Sequence, residues 1–115
     1  MSTKFDPKND LTQEILDNAL TISAADTSAA SSLKDFQYAW VEIFFKKTTA
    51  ETLKAEILVN STVVATENAA AADTSGVLKF DLVKNYDYPS IQVKLTPSAS
   101  TVVTTSVYKY NKMSA

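Results

Sequence analysis

The chain lacks most of the side chains that carry out catalysis in proteins. Its 115 residues include 11 lysines but no arginine, histidine or cysteine. Histidine is the usual proton carrier near neutral pH, the cysteine thiolate is a ready nucleophile, and arginine clamps carboxylates and phosphates with a planar set of donors. Their joint absence predicts that the protein is not an enzyme.

Carboxylates and hydroxyls remain, but they do not stand in a catalytic or ligand-binding pattern. The 13 acidic residues are scattered, as at Glu42, Glu56 and Asp81, where each is expected on a solvated face. No serine lies in a GxSxG motif, no DxDxDG loop is present for calcium, and the single glycine excludes a glycine-rich phosphate loop. We therefore expect no catalytic residue, no cofactor and no metal ligand. The one metal site that this reasoning leaves open is a weak calcium site formed by carboxylates at an interface between subunits.

Length and charge exclude further classes of protein. A chain of this size forms one hydrophobic core, and its 45% apolar and 21% charged residues are typical of a globular domain. The net charge of -2 provides no field that would attract nucleic acid. No stretch approaches the roughly 20 apolar residues that span a membrane. We expect neither nucleic acid nor a membrane as a partner.

Residues 1–32 differ from the rest and are interpreted as an N-terminal arm or linker. Residues 23–32 (SAADTSAASS) are small and polar, too poor in apolar bulk to anchor themselves. Before them, Asp10 could cap a short helix. The helical spacing would place Ala19 and four larger apolar residues along one stripe, the larger ones being Leu11, Ile15, Leu16 and Leu20. Because so short a helix is marginal alone, we expect this stripe to lie on the parent domain or on a neighbouring subunit.

From residue 33 onward the apolar period becomes that of β-strands. The segment Phe36–Lys47 (FQYAWVEIFFKK) alternates between two faces. One face consists of Ala39, Val41, Ile43 and Phe45. The other consists of Tyr38, Trp40, Glu42 and Phe44. Burying Glu42 without a partner would cost several kcal/mol, so the first set is predicted to face the core. The second face is too aromatic for plain solvent, so the segment is expected to be the central strand or one whose outer face is covered by the arm or by another subunit.

Further alternating segments complete an all-β domain. They are Leu53–Val59, Val63–Ala65, Leu78–Val83, Ile91–Leu95 and Thr101–Tyr110. A tight turn is expected at Asn60-Ser61, and a loop over Glu67–Gly76 in which the glycine closes a turn. Short strands without amphipathic helices between them predict an antiparallel two-layer β-sandwich over residues 33–115, jelly-roll-like or Ig-like.

Tyrosines are concentrated near the end of the chain. Tyr86 and Tyr88 flank an acid before a strand, and Tyr108 and Tyr110 share one face of the last strand. Such rings could cap the sandwich, form a subunit interface or stack on sugars, since Tyr and Trp carry much of the energy of binding sites. We predict Tyr38, Trp40, Tyr86 and Tyr88 as interface residues together with the apolar stripe of the arm.

The stretch from Phe36 to Lys112 resembles small virion proteins of tailed bacteriophages, in particular the capsid decoration or cement proteins. The likeness lies in YAWVEIFFKKT, VLKFDLVKNYDYPSIQVKLTP and a final strand ending in VYKYNK, preceded by a polar arm. It implies a non-enzymatic, sandwich-like homotrimer that binds the phage major capsid protein on the capsid surface of the virion. The alternative is a carbohydrate-binding or adhesin module in which Tyr86, Tyr88 and Trp40 stack on the glycan.

Overall fold

The computed structural model describes residues 11–83 and 89–111, and within these ranges the chain forms β-strands and no helix. The described strands are β1 (Leu11–Ile22), β2 (Asp26–Thr27), β3 (Ser31–Ser32), β4 (Tyr38–Lys47), β5 (Leu53–Val59), β6 (Thr62–Ala69), β7 (Ser75–Val83), β8 (Ser90–Pro97) and β9 (Thr101–Tyr110). None of the described segments is therefore an apolar helix of membrane-spanning length.

The strands form two antiparallel sheets that pack against each other. The first sheet has the order β1-β9-β4-β7, and the second has the order β2-β8-β5-β6 with β3 also pairing with β8. This arrangement confirms the predicted antiparallel two-layer β-sandwich. β4 and β9 are the two inner strands of the first sheet, so their outward side chains occupy the middle of a broad surface.

The core lies between the sheets and is built by alternate residues. Ala39, Val41, Ile43 and Phe45 of β4 are all buried, as predicted, and they meet apolar residues of the second sheet such as Ile57. Because successive side chains of a strand point to opposite faces, the residues between them in β4 are turned outward. The sequence period thus fixes which face of β4 is interior.

The predicted N-terminal helix is wrong. Residues 11–22 form the strand β1, which runs antiparallel to β9 from the pair Leu11 and Tyr110 to the pair Ile22 and Thr101. An isolated helix of ten residues is marginal, whereas a strand at the edge of β9 satisfies a whole row of backbone donors and acceptors. Two further short strands, β2 and β3, pair with β8, so the part of the predicted arm that the structure describes contributes to both sheets.

Turn residues account for two local details of the second half. Asn60 and Ser61 have positive φ angles of 51° and 66° and join β5 to β6, which confirms the predicted tight turn. The loop predicted over Glu67–Gly76 is too long, because β6 continues to Ala69 and β7 begins at Ser75. Gly76 does not close a turn: it lies in β7 opposite Phe45, where a Cβ would be 3.1 Å from Cζ of that ring.

Candidate interaction surface

The outer side of the first sheet carries a cluster of four aromatic residues, which we call the aromatic face: Tyr38, Trp40, Tyr108 and Tyr110. The register between β4 and β9 places Tyr38 opposite Tyr110 and Trp40 opposite Tyr108. All four are half-buried, in contrast to their inward-facing neighbours in the same strands. The aromatic face therefore arises from the pairing of two strands that are separated in sequence by β5, β6, β7 and β8.

The rings of the aromatic face stack on one another across the two strands. Trp40 and Tyr108 have centroids 4.6 Å apart and planes within 12°, and Tyr38 and Tyr110 are 5.3 Å apart at 22°. Trp40 also meets the edge of Tyr110 at 5.5 Å. Each such pair is worth about 0.5–1.5 kcal/mol beyond the area it buries. The four rings consequently form one ordered unit.

Both faces of the Trp40 ring are covered by neighbours. Tyr108 stacks on it from β9, and the ammonium group of Lys79 lies 5.8 Å from its centroid on the β7 side. The Tyr108 hydroxyl in turn accepts a 3.2 Å hydrogen bond from Gln13 Nε2 of β1. A row of side chains thus crosses all four strands and presents ring edges to the solvent. Among the described residues, Trp40 Nε1 is buried without a hydrogen-bond partner.

An exposed apolar patch continues the surface beyond the aromatic face. Phe44 of β4 and Val77 of β7 stand opposite each other and are 46% and 47% exposed. Ile15 of β1 is on the same side of the sheet and is 53% exposed. Glu42 and Lys79 lie in the row between the Phe44–Val77 pair and the aromatic face, and Ile15 stands at the β1 end of that same row, opposite Ser106. The outer side of the sheet is therefore aromatic at one end and apolar at the other, and the row between them is charged on β4 and β7 and apolar at Ile15 on β1.

The residues predicted for an interface divide between several environments. Tyr38 and Trp40 belong to the aromatic face. Tyr86 and Tyr88 lie outside the described residues. The four residues of the predicted helical stripe do not share a face, because β1 is a strand. Leu11 pairs with Tyr110, Ile15 is turned outward, Leu16 packs against the core and Leu20 pairs with Val103 at the open edge.

Phe44, Val77, Gln13, Tyr108 and Tyr110 belong to the surface but were not predicted as interface residues. A signal for the tyrosines was present in the sequence: Tyr-x-Trp opens β4 and Tyr-x-Tyr closes β9. In an antiparallel pair of strands the start of one lies beside the end of the other. Two aromatic pairs in these positions point to one cluster.

A partly buried polar cluster attaches β1 to β9 of the first sheet and to β3 of the second. Lys109 Nζ lies 2.7 Å from Glu14 Oε1 and donates to the carbonyl oxygen of Ser32 at 2.8 Å. Ser31 Oγ also donates to Glu14 Oε1, at 2.5 Å. The hydrogen bonds from Lys109 and then Ser31 lower the pKa of Glu14. The cluster holds the N-terminal half of β1 against β9 and β3.

The second half of β1 buries a carboxylate that is poorly satisfied. Asp17 is only 9% exposed and pairs with Thr105 in the ladder to β9. Burial raises the pKa of Asp17, and the negative charge of Asp26 adds to the rise. The Thr105 hydroxyl is close enough to lower that pKa in part, yet neither Asp17 Oδ2 nor Thr105 Oγ1 has a partner of hydrogen-bond geometry among the described residues.

A second buried polar cluster lies near the turns at the C-terminal end of β4. Lys47 Nζ donates to the backbone oxygens of Glu51 at 2.6 Å and of Ala70 at 2.7 Å. Glu51 Oε1 accepts a 2.6 Å bond from the Thr101 hydroxyl. These contacts tie three connections of the sandwich together. Within residues 11–83 and 89–111, no group of three or more acidic side chains converges in a way that could hold a metal ion.

No protein-family model matches the chain, and no curated protein sequence matches it. Several solved structures share its fold. A chain of the T13 IBDV viral particle is similar over 96% of this protein and 35% of its own length, with a TM-score of 0.59 and 14% identity. Dimeric latent PorU from Porphyromonas gingivalis is similar over 90% of this protein, with a TM-score of 0.57 and 11% identity, and the aligned part covers 13% of the PorU chain.

The Bacillus endospore appendages, described as disulfide-linked pili, are similar over nearly the whole of both chains. The alignment covers 91% of this protein and 90% of the pilus chain, with a TM-score of 0.53 and 16% identity. At such identities these likenesses establish the β-sandwich fold alone.

Proposed function

We propose that the protein is a non-enzymatic structural protein of a bacteriophage virion, a capsid decoration or cement protein. In this proposal it binds the phage major capsid protein on the capsid surface as a homotrimer. The observation that carries the proposal is the outer side of the first sheet, where stacked rings and the exposed Phe44–Val77 pair stand on either side of one row that contains Glu42 and Lys79.

This surface has the composition of a protein-binding site. Tyr and Trp are enriched among the residues that dominate binding energy, and contiguous exposed apolar side chains mark interaction sites on soluble proteins. Completing the burial of half-exposed Phe44 and Val77 would contribute about 1 kcal/mol each. The stacked rings beside them are already ordered, so docking a partner costs little additional side-chain entropy.

The structural similarities are compatible with a role in an assembly but do not distinguish a capsid from a pilus. The sandwich occurs in a chain of a viral particle and in a pilus described as disulfide-linked. The present chain has no cysteine, so its copies cannot be joined by disulfides. Contacts between its copies therefore need a basis other than disulfides.

A matched pair of valine variants tests the proposal. Val77 of β7 and Val63 of β6 are 47% and 45% exposed, but only Val77 belongs to the apolar patch. Val77→Thr should reduce binding to shells of the phage whose genome encodes the chain, whereas Val63→Thr should bind like the wild type. Cosedimentation with shells that lack the protein measures both. Absence of wild-type binding, with no copy of the protein in purified virions, would refute the proposal.

The carbohydrate-binding alternative receives less support from the geometry. A sugar stacks on the open face of a ring, and both faces of Trp40 are covered, by Tyr108 and by Lys79. Tyr86 and Tyr88, its other expected platforms, lie outside the described residues. A glycan array distinguishes the two functions: specific binding that Tyr88→Ala abolishes would favour the alternative.

A further inference from the structure

The middle of β1, from Ile15 to Leu20, fits its place in the first sheet poorly, although Ile22 at its end is buried in the core. It leaves Ile15 and Leu20 exposed while it buries Asp17. Its pairing with β9 is irregular on both sides of Asp17, and Ala19 has a φ of 48°. A left-handed conformation costs a residue with a Cβ about 1–2 kcal/mol. These conflicts between sequence and position lower the free energy needed to detach the strand.

β1 is nevertheless a complete strand whose attachment comes mainly from one partner. Among the described strands it pairs with β9 alone. Its specific side-chain contacts include the ion pair of Glu14 with Lys109 and the hydrogen bond of Gln13 to Tyr108. Apart from the Ser31 hydrogen bond to Glu14 and the packing of Leu16 and Ile22 on the core, these contacts lie along β9. β1 can therefore leave as a unit, and the same row of groups on β9 can receive an identical strand.

The connection that follows β1 is short. Only residues 23–25 join β1 in the first sheet to β2 in the second. Packed sheets lie about 10 Å apart, and a residue spans at most about 3.5 Å, so this connection has little slack. Short connections that are held taut favour exchange of the element they carry, because an opened connection lets that element extend toward another copy.

We propose that β1 is exchanged between copies of this chain, so that β1 of one copy pairs with β9 of the next in the same register. Lys109 and Ser31 of the receiving copy then bind Glu14 of the donor, as they do within one chain in the structure. Every copy gives one strand and receives one. A closed ring of copies therefore leaves no β9 edge unpaired.

Exchange would make the aromatic face a shared site. Gln13, which donates to the Tyr108 hydroxyl, and Ile15, which borders the apolar patch, both belong to β1. In the exchanged assembly they come from the neighbouring copy, so a detached single chain presents an incomplete surface. The inference deepens the proposed function by naming how copies of the chain join.

Crosslinking between two single-cysteine variants tests the exchange. The chain has no cysteine of its own, and Ile15 stands directly opposite Ser106 in the β1–β9 ladder. Chains carrying Ile15→Cys are unfolded and refolded together with chains carrying Ser106→Cys, and then mildly oxidised. Exchange should give a disulfide-linked dimer that contains one of each chain, because opposite residues of paired strands come within bonding range.

Two controls make the result decisive. Chains carrying Ile15→Cys mixed with chains carrying Val77→Cys measure chance collisions, because Val77 is exposed on the same side but does not pair with β1. The double variant with Ile15→Cys and Ser106→Cys in one chain shows that the ladder permits the bond. If the double variant closes its disulfide within single chains and the mixed pair gives no more dimer than the collision control, exchange is refuted.

A longer connection provides a second test that needs no cysteine. Inserting Gly-Ser-Gly between Ala24 and Ala25 removes the restriction on residues 23–25 and should cause loss of the oligomer in light scattering, with the fold retained. An unchanged oligomer would overturn the inference. Oligomers without mixed crosslinks would refute exchange but would not contradict the proposed function. Crosslinked oligomers that do not bind phage shells would support exchange and contradict the proposed function.

Discussion

Replacement of Ile43 by alanine is the sharpest test of the interior of the sandwich. Ile43 has no exposed surface and sits in the middle of the core, whereas Phe44, the next residue of β4, is turned outward. Ile43→Ala removes three carbon atoms, and at about 0.8 kcal/mol per buried carbon this costs about 2.4 kcal/mol of transfer free energy. The cavity left behind raises the cost toward about 3–4 kcal/mol, within the range measured for such truncations.

The matched control is Phe44→Ala, which removes more carbon atoms from the same strand. Because half of the Phe44 side chain is already in water, we expect its truncation to cost about 1 kcal/mol. Urea unfolding of both variants, followed by tryptophan fluorescence from Trp40, gives the two values, and sedimentation shows whether either variant changes the assembly. If Phe44→Ala lowers the free energy of unfolding more than Ile43→Ala, the two faces of β4 have been assigned the wrong way round.

Three further substitutions test the close packing and the charges of the first sheet. Gly76→Val should destabilise the fold by about 1–3 kcal/mol in urea unfolding, because even a Cβ would crowd the ring of Phe45; a neutral effect would show that the ring moves freely. Since the pKa of Asp17 is raised on folding, its stabilising contribution is complete in acid, below the ordinary aspartate pKa, and is lost as pH rises through the raised value. Asp17→Asn should therefore be more stable than the wild type at neutral pH, by about 1 kcal/mol, and lose that advantage in acid. Lys109→Met should lower the free energy of unfolding by about 2 kcal/mol. In the wild type the lowered pKa of Glu14 provides stability above the ordinary glutamate pKa, and this stability is lost as pH falls through the lowered value. The variant should lack this pH dependence, so equal sensitivity of the two proteins to acid would contradict the prediction.

Much of the sandwich could be predicted because its signals are local. The alternation of Ala39, Val41, Ile43 and Phe45 defines an inward face in any antiparallel sheet. The Asn60-Ser61 turn follows from the tolerance of asparagine for positive φ, and the structure has φ of 51° there. In such cases one strand or one turn contains all the information that decides its conformation.

The segment from Leu11 to Leu20 could not be predicted correctly because its conformation depends on a distant strand. Its apolar spacing fits a helix as well as it fits an irregular strand, and only the free edge of β9 decides between them. The aromatic face was missed for the same reason. The aromatic pairs at the start of β4 and at the end of β9 are visible in the sequence, but they form one cluster only if β4 pairs with β9, and the pattern of neither strand shows that pairing.

The two inward acidic residues of β1 act on its attachment in opposite ways. Glu14 is held by Lys109, whereas Asp17, nearer to the connection at residues 23–25, is buried without a satisfied partner. A strand opens first at its less stable end, and here that end adjoins the segment that has to straighten for exchange. We therefore expect Asp17→Asn to slow the formation of mixed crosslinked dimers and Lys109→Met to accelerate it. Refolded single-cysteine chains, mixed without denaturant and sampled over time, give the rates. The reverse order would mean that β1 opens from its N-terminal half, and that the ion pair rather than the buried carboxylate limits its release.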